Sequence, residues 1–342
     1  MQTKRNWMKR YVYWDSLKFI LIFLVVYAHT ISPYKADSPF NMHIYNFIYM
    51  FHMPLFIFIS GRFSHFYEKK KYIKGIWRLF ETFIVFQIVF TIISLVRGEG
   101  SLQKYLTTPN WILWYLLSLV FWRLMVYLTP KSWLRHPKTV LIVSLYISLV
   151  AGYIPIGYMF AVHRTLSFLP FFVLGYYSSE LYFSSYIKRI PLIIAFGTLI
   201  AGFVIVSISF NDVFSFVYHC PYKEWDVHVL PITALFPIIR CTFFLFTTIL
   251  CVMVMRITPD LSILGKWASR TLFIYIYHAL VLRLILFPLI GRHFIPQNEI
   301  LLIIYTIIFI IGLLILSNYS FFNNLLNPIS FYYGIFNNRP KS

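Results

Sequence analysis

His29 and His52 fall inside the first two apolar segments of the chain, in LVVYAHTISPY and FIYMFHMPLFIFISGR. An imidazole in hydrocarbon costs free energy unless it faces protein or water, so an ionisable side chain within a membrane segment marks a candidate site. A neutral imidazole titrates close to physiological pH and can take a proton from a hydroxyl. The competing reading is structural, each ring serving only as a hydrogen-bonding contact between packed helices. Two such rings on consecutive antiparallel segments fall within about one helical turn of the same depth. That places a prospective site between helices.

The rest of the first segment supports a polar wall. Its uninterrupted apolar stretch runs only from Phe19 to Ala28, too short to cross a hydrocarbon layer of about 30 Å. The flanks Trp14-Asp15-Ser16 and His29-Thr30 therefore need shielding by other helices or by a wet cavity. At about 100° per residue, Asp15, Lys18 and His29 share one broad helix face. Asp15 cannot reach His29, since fourteen residues span roughly 21 Å; Lys18 or Arg10 is its expected partner, and Asp37 is the nearest acid to the imidazole in sequence. Met53-Pro54 follows His52 and predicts a kink or loosened turn. His163-Arg164 opens the sixth apolar run and His278 lies in LFIYIYHALVLR. Trp111 and Trp114 read first as interfacial anchors.

These residues must be held by membrane helices. Of 342 residues, 59% are hydrophobic and 12% charged, with a mean hydropathy of +0.72, beyond what soluble domains show. Apolar runs fall near 15–33, 44–63, 79–96, 110–128, 139–153, 164–183, 190–210, 232–256, 270–291 and 298–318. The expected fold is an all-α polytopic membrane protein of about ten transmembrane helices, a single domain over 1–342 with no appended soluble domain. The basic N-terminus reads as the start of a retained helix rather than a signal peptide. No internal repeat of the transporter kind is visible.

The net charge of +19 does not point to nucleic acid, because the cations recur between apolar runs. With a cytoplasmic N-terminus, 21 of the 30 Lys and Arg gather at the inner ends. The outer loops hold Lys35, Arg97, Lys104, Arg164, Lys223 and Arg292, while Lys18, Arg240 and Arg283 lie within spans. This asymmetry predicts both termini in the cytoplasm. Lys69, Lys70 and Lys71 fit topology and lipid headgroups best, whereas Arg62 and Arg78 abut apolar segments. Cys220, Cys241 and Cys251 have neither metal-ligand nor disulfide spacing.

Several stretches together resemble the acyltransferase 3 family of integral membrane O-acyltransferases, especially its fucose 4-O-acetylase-like branch. They are Tyr13-Trp14-Asp15-Ser16-Leu17-Lys18 with Val26-Tyr27-Ala28-His29, Phe51-His52-Met53-Pro54-Leu55-Phe56 with Ile59-Ser60-Gly61, and Trp114-Tyr115-Leu116-Leu117. Arg164-Thr165-Leu166-Ser167-Phe168-Leu169-Pro170-Phe171-Phe172 with Leu174-Gly175-Tyr176, and Tyr275-Ile276-Tyr277-His278, complete the set. The resemblance implies transfer of an acetyl group from cytosolic acetyl-CoA to a hydroxyl of an envelope polysaccharide or lipid-linked sugar, in a bacterial inner membrane. His29 is then the expected general base, or the carrier of a transient acyl group, with His52 as a second catalytic candidate. Arg10, Asp15, Lys18, Arg62, Lys74 and Arg78 fall on the donor side, and Trp114, Arg164 and His278 in the acceptor pocket. No resident cofactor or metal is implied. Two departures stand out: Lys18 and Phe19 occupy positions where many relatives have Arg and Gly, and the extracytoplasmic hydrolase-like domain of some relatives has no counterpart. A glycolipid transporter or flippase, and the same scaffold moving another acyl group such as succinyl, are the alternatives.

Overall fold

A computed structural model describes residues 2–35, 38–65, 68–179, 183–209, 218, 221–222, 235–283 and 298–326. Among them every regular element is helical. The reason is solvent: lipid offers no hydrogen bonds, so each spanning segment must satisfy its backbone internally. The order is α1 (Gln2–Ile31), α2 (Pro39–Arg62), α3 (Lys69–Val96), α4 (Leu102–Thr107), α5 (Trp114–Leu128), α6 (Lys131–Leu134) and α7 (Pro137–Ala151). There follow α8 (Val162–Tyr177), α9 (Leu192–Ser209), α10 (Phe236–Ile257), α11 (Ser262–Ala268), α12 (Thr271–Val281), α13 (Glu299–Leu316) and α14 (Ser320–Leu325).

Among the described residues seven helical stretches are long and apolar enough to cross a membrane, and α7, α9 and α12 are shorter apolar helices. Each of the ten expected segments overlaps one of these, with residues 232–234 and 284–291 among those lying outside the described residues. Several helices overrun the apolar runs. α3 begins at Lys69 rather than 79, because Lys, Arg and Glu are good helix formers once the chain leaves the lipid. Ends are capped as their sequences dictate: Ser38 Oγ accepts from Asn41 N–H ahead of Pro39, and Asn298 Oδ1 accepts from Ile300 (3.0 Å) and Leu301 (3.2 Å). Pro54, where a kink or loosened turn is expected, lies inside the one helix α2.

α1 runs through the middle of the bundle, against α2, α11, α12 and α13. Leu17, Leu21, Ile22 and Val26 are fully buried on it, as are Ser16 and Thr30. Those two hydroxyls are satisfied as a dry interior demands: Thr30 Oγ1 donates to Val26 O (2.8 Å), and Ser16 Oγ accepts from Leu261 N–H (3.1 Å). The polar flanks are thus shielded by neighbouring helices. By contrast, α9 and α13 leave Ile193, Ile200, Ile300, Ile308 and Ile315 exposed, the side a lipid phase would cover.

The most intimate crossing is between α2 and α8. A Cβ added at Gly61 would meet the carbonyl of Phe172, and one at Gly175 the carbonyl of Phe58, both closer than real side chains approach. Small residues let backbones touch, and van der Waals packing then replaces the missing hydrophobic drive in lipid. α5 joins the pair through Trp122 Nε1–H to Thr165 O (2.9 Å) and the Ser118–Thr165 hydroxyl contact (2.7 Å). Gly61→Ala or Gly175→Ala should force the helices apart and cost about 1–3 kcal/mol. A lowered melting temperature in detergent would register this, whereas Gly197→Ala, in open space on α9, should leave it unchanged.

Candidate active site

The histidines gather near the end where α1 finishes, called the outer end after the orientation that the charge asymmetry predicts. His29 stacks on His278 of α12, ring centroids 5.4 Å apart and 28° between planes. Trp111 meets His29 edge-on at 4.8 Å. Tyr49 contacts both His29 (6.3 Å) and His52 (4.8 Å). The ring laid directly against His29 is therefore that of His278, with Tyr49 touching His29 and His52 alike.

Backbone carbonyls fix two of the three tautomers. His52 Nδ1 lies 2.7 Å from Ile48 O and His278 Nδ1 lies 2.9 Å from Ile274 O, each one turn back on its own helix. A carbonyl only accepts, so Nδ1 carries the proton and Nε2 the lone pair. His278 Nε2 is buried and has no hydrogen-bond partner among the described residues. His52 and His278 retain 2% and 0% exposure, whereas His29 keeps 9%. His29 is thus the least buried of the three residues.

Trp111, edge-on to His29, separates that ring from a cavity it lines itself, and its placement is over-determined. Gln87 of α3 donates from Nε2 to Tyr105 O (2.8 Å) and Thr108 O (3.0 Å) and accepts at Oε1 from Asn110 N–H (2.8 Å). Tyr275 of α12 donates its hydroxyl to Ile112 O. Between these anchors Trp111 adopts φ +36°, a left-handed conformation that a bulky side chain rarely takes without support. Phe160 and Ala161 also have positive φ. Ala161, Trp111, Trp114, Tyr158 and Arg164 line a cavity of about 690 Å³ opening at the outer end, within the size of small-molecule sites. The Arg164 guanidinium rests on Trp114 (5.2 Å) and Tyr158 (4.9 Å). The expected acceptor-side residues Trp114 and Arg164 therefore share this pocket, and His278 lies behind it against His29.

The expected donor-side residues sit at the opposite end. Arg62 lies over the Trp14 ring at 4.3 Å and donates from Nη1 to Ser178 O (2.9 Å) and Oγ (3.0 Å). Both Trp14 and Arg62 line a second cavity of about 430 Å³ with Lys138, Ser178 and Phe183. Lys18 pairs with Asp15 (3.2 Å) and covers Phe63 (4.1 Å). Arg10 belongs to α1, but its side chain, like Asp37, lies outside the described residues. Lys74 and Arg78 are exposed on α3 and line neither cavity. Between the two ends runs a line of hydroxyls: Ser60 and Tyr115 are 2.6 Å apart, Tyr115 and Tyr275 rings 5.5 Å, Tyr275 and His278 rings 6.2 Å.

Sequence reasoning missed Tyr49 and the role of Trp111. Tyr49 stands three residues before His52, as Tyr275 does before His278, so helical spacing was the available signal. The fold and these sites define a multi-pass membrane protein whose polar chemistry is gathered at intramembrane histidines. The chain belongs to the acyltransferase 3 family: the family model of its acyltransferase domain matches residues 11–334. It is a membrane acyltransferase. No curated protein and no solved structure gives a significant match.

His278→Phe keeps a stacked ring and removes both nitrogens. Acyl transfer should fall about 10²–10⁴-fold with the melting temperature within a few degrees of wild type; near-normal transfer would reduce His278 to a packing residue.

Proposed function

We propose that this protein moves an acetyl group from cytosolic acetyl-CoA to a hydroxyl of an envelope polysaccharide or lipid-linked sugar in a bacterial inner membrane, with His29 as general base. The observation that carries the reading is the position of His29. It is the one accessible ring of a stacked histidine pair and abuts Trp111, a wall of the outer cavity. In the transfer, the imidazole takes the hydroxyl proton as the sugar oxygen attacks the thioester carbonyl. The C–O bond forms, the C–S bond breaks, and the imidazolium returns its proton to the leaving thiolate. His278 supports the charged ring by stacking face to face on it.

The inner cavity suits the nucleotide end of the donor. Arg62 offers a fixed guanidinium for phosphate and Trp14 an aromatic face. Trp14 precedes His29 by fifteen residues on one helix, roughly 22 Å. The pantetheine arm would run along the hydroxyl line of Ser60, Tyr115 and Tyr275. Arg10, Asp15 and Lys18 belong to the mouth of that route, with Lys74 and Arg78 further out. His52, tautomer-locked and in contact with Tyr49, supports the site from one turn deeper.

Purified protein in liposomes, given radiolabelled acetyl-CoA and an envelope-glycan extract, should label glycan, and His29→Ala should lose that labelling by about 10²-fold or more. Label held on wild-type protein without glycan would indicate an acyl-histidine route. Folded wild type that neither binds acetyl-CoA nor transfers label would end the acetylation reading in favour of another acyl donor such as succinyl.

A further inference from the structure

The outer cavity has a charge that acyl transfer to a neutral sugar would not require. By the positive-inside count, six Lys and Arg belong to outer loops. Three of them, Arg97, Lys104 and Arg164, line this one cavity, joined by Arg283 from the end of α12. They come from three separate parts of the chain, Arg97 and Lys104 sharing one connection, so their convergence is a product of the fold rather than of a local basic run. Glu99 is the one acid among the described lining residues. It pairs with Arg283 at 2.8 Å and so offsets a single cation, leaving the described lining net positive.

The cations are also held. Arg97 Nη1 donates to Arg283 O (2.5 Å), which ties the end of α3 to the end of α12. Arg164 is sandwiched by Trp114 and Tyr158, and Lys104 lies near the Tyr105 ring (5.8 Å). Fixed guanidiniums match carboxylate and phosphate geometry, and the flat faces of Trp111 and Trp114 suit the apolar faces of sugar rings. On the orientation that the charge asymmetry predicts, these cations lie on the side opposite to the clusters that set it.

We propose that this pocket takes an anionic acceptor, a glycan bearing carboxylate or phosphate groups close to the hydroxyl that is acylated. The proposal rests on the reading of the cavity as the acceptor site. The anion is held by Arg97, Lys104 and Arg283 at the rim, and the sugar lies across Trp111 towards His29. Such a site favours the charged acceptor over a neutral one of the same skeleton by electrostatics that salt screens.

Equilibrium binding to wild-type protein in phosphatidylcholine nanodiscs tests this, with an oligomer of galacturonic acid and its fully methyl-esterified form as probes. The free acid should bind about tenfold or more tightly than the ester. The gap should narrow at high salt and shrink in both Lys104→Gln, an exposed position, and Arg283→Gln. Equal binding of the two probes, binding of neither, or a gap unchanged in both variants would overturn the proposal. Suppression of acid binding by added phosphatidylglycerol would also overturn it, assigning the pocket to a lipid headgroup. Acetyl-CoA binding is read on the same preparation. Donor binding without preference for the acid removes this proposal alone; absence of donor binding removes the acyl-transfer reading and the acceptor assignment with it.

Discussion

The backbone contact between α2 and α8 is the constraint on which most of the interior depends. Gly61 and Gly175 each admit the carbonyl of the other helix, and this close approach sets what lies above and below. Towards the inner end it brings Arg62 onto Ser178. Two residues back along α2, it leaves Ser60 within reach of Tyr115. At the outer end the first turn of α8 carries Arg164, which the same alignment sends to the cavity shared with Trp111. Lipid supplies no hydrophobic force between helices, so a close fit of surfaces must do what water exclusion does in soluble proteins.

Against that frame the histidines divide the work of being buried. His52 and His278 each spend a proton on a carbonyl of their own helix, which removes half of the cost of holding an imidazole in a dry place. His29 makes ring contacts with Trp111, Tyr49 and His278 and retains its small accessible surface. Such an arrangement surrounds the His29 ring with neighbours that are themselves fixed by second contacts, as a preorganised site would require.

The helices were legible because hydrocarbon imposes a simple rule on sequence. Long apolar runs separated by basic clusters fall on the observed helices, and the buried state of Ser16, Thr30 and His29 followed from the shortness of the first apolar stretch. The Asp15–Lys18 pair was a matter of spacing on one helix. What could not be read was pairing between distant segments. His29 and His278 are 249 positions apart, and nothing local says which helix lies against which. The same holds for Arg97, Lys104 and Arg283, which look like scattered loop charges until three helix ends meet. Lys74 and Arg78 enter the third span as an exposed basic pair.

Trp114 walls one of the two cavities and Phe171 the other, and both belong to one packed aromatic core with Tyr115 and Phe168. Carrying a charge across a membrane potential is worth about 2.3 kcal/mol per 100 mV, so two hollows in one membrane protein need something dry between them. Packed rings fill that need as electrical insulation, a use of aromatic residues separate from holding helices together.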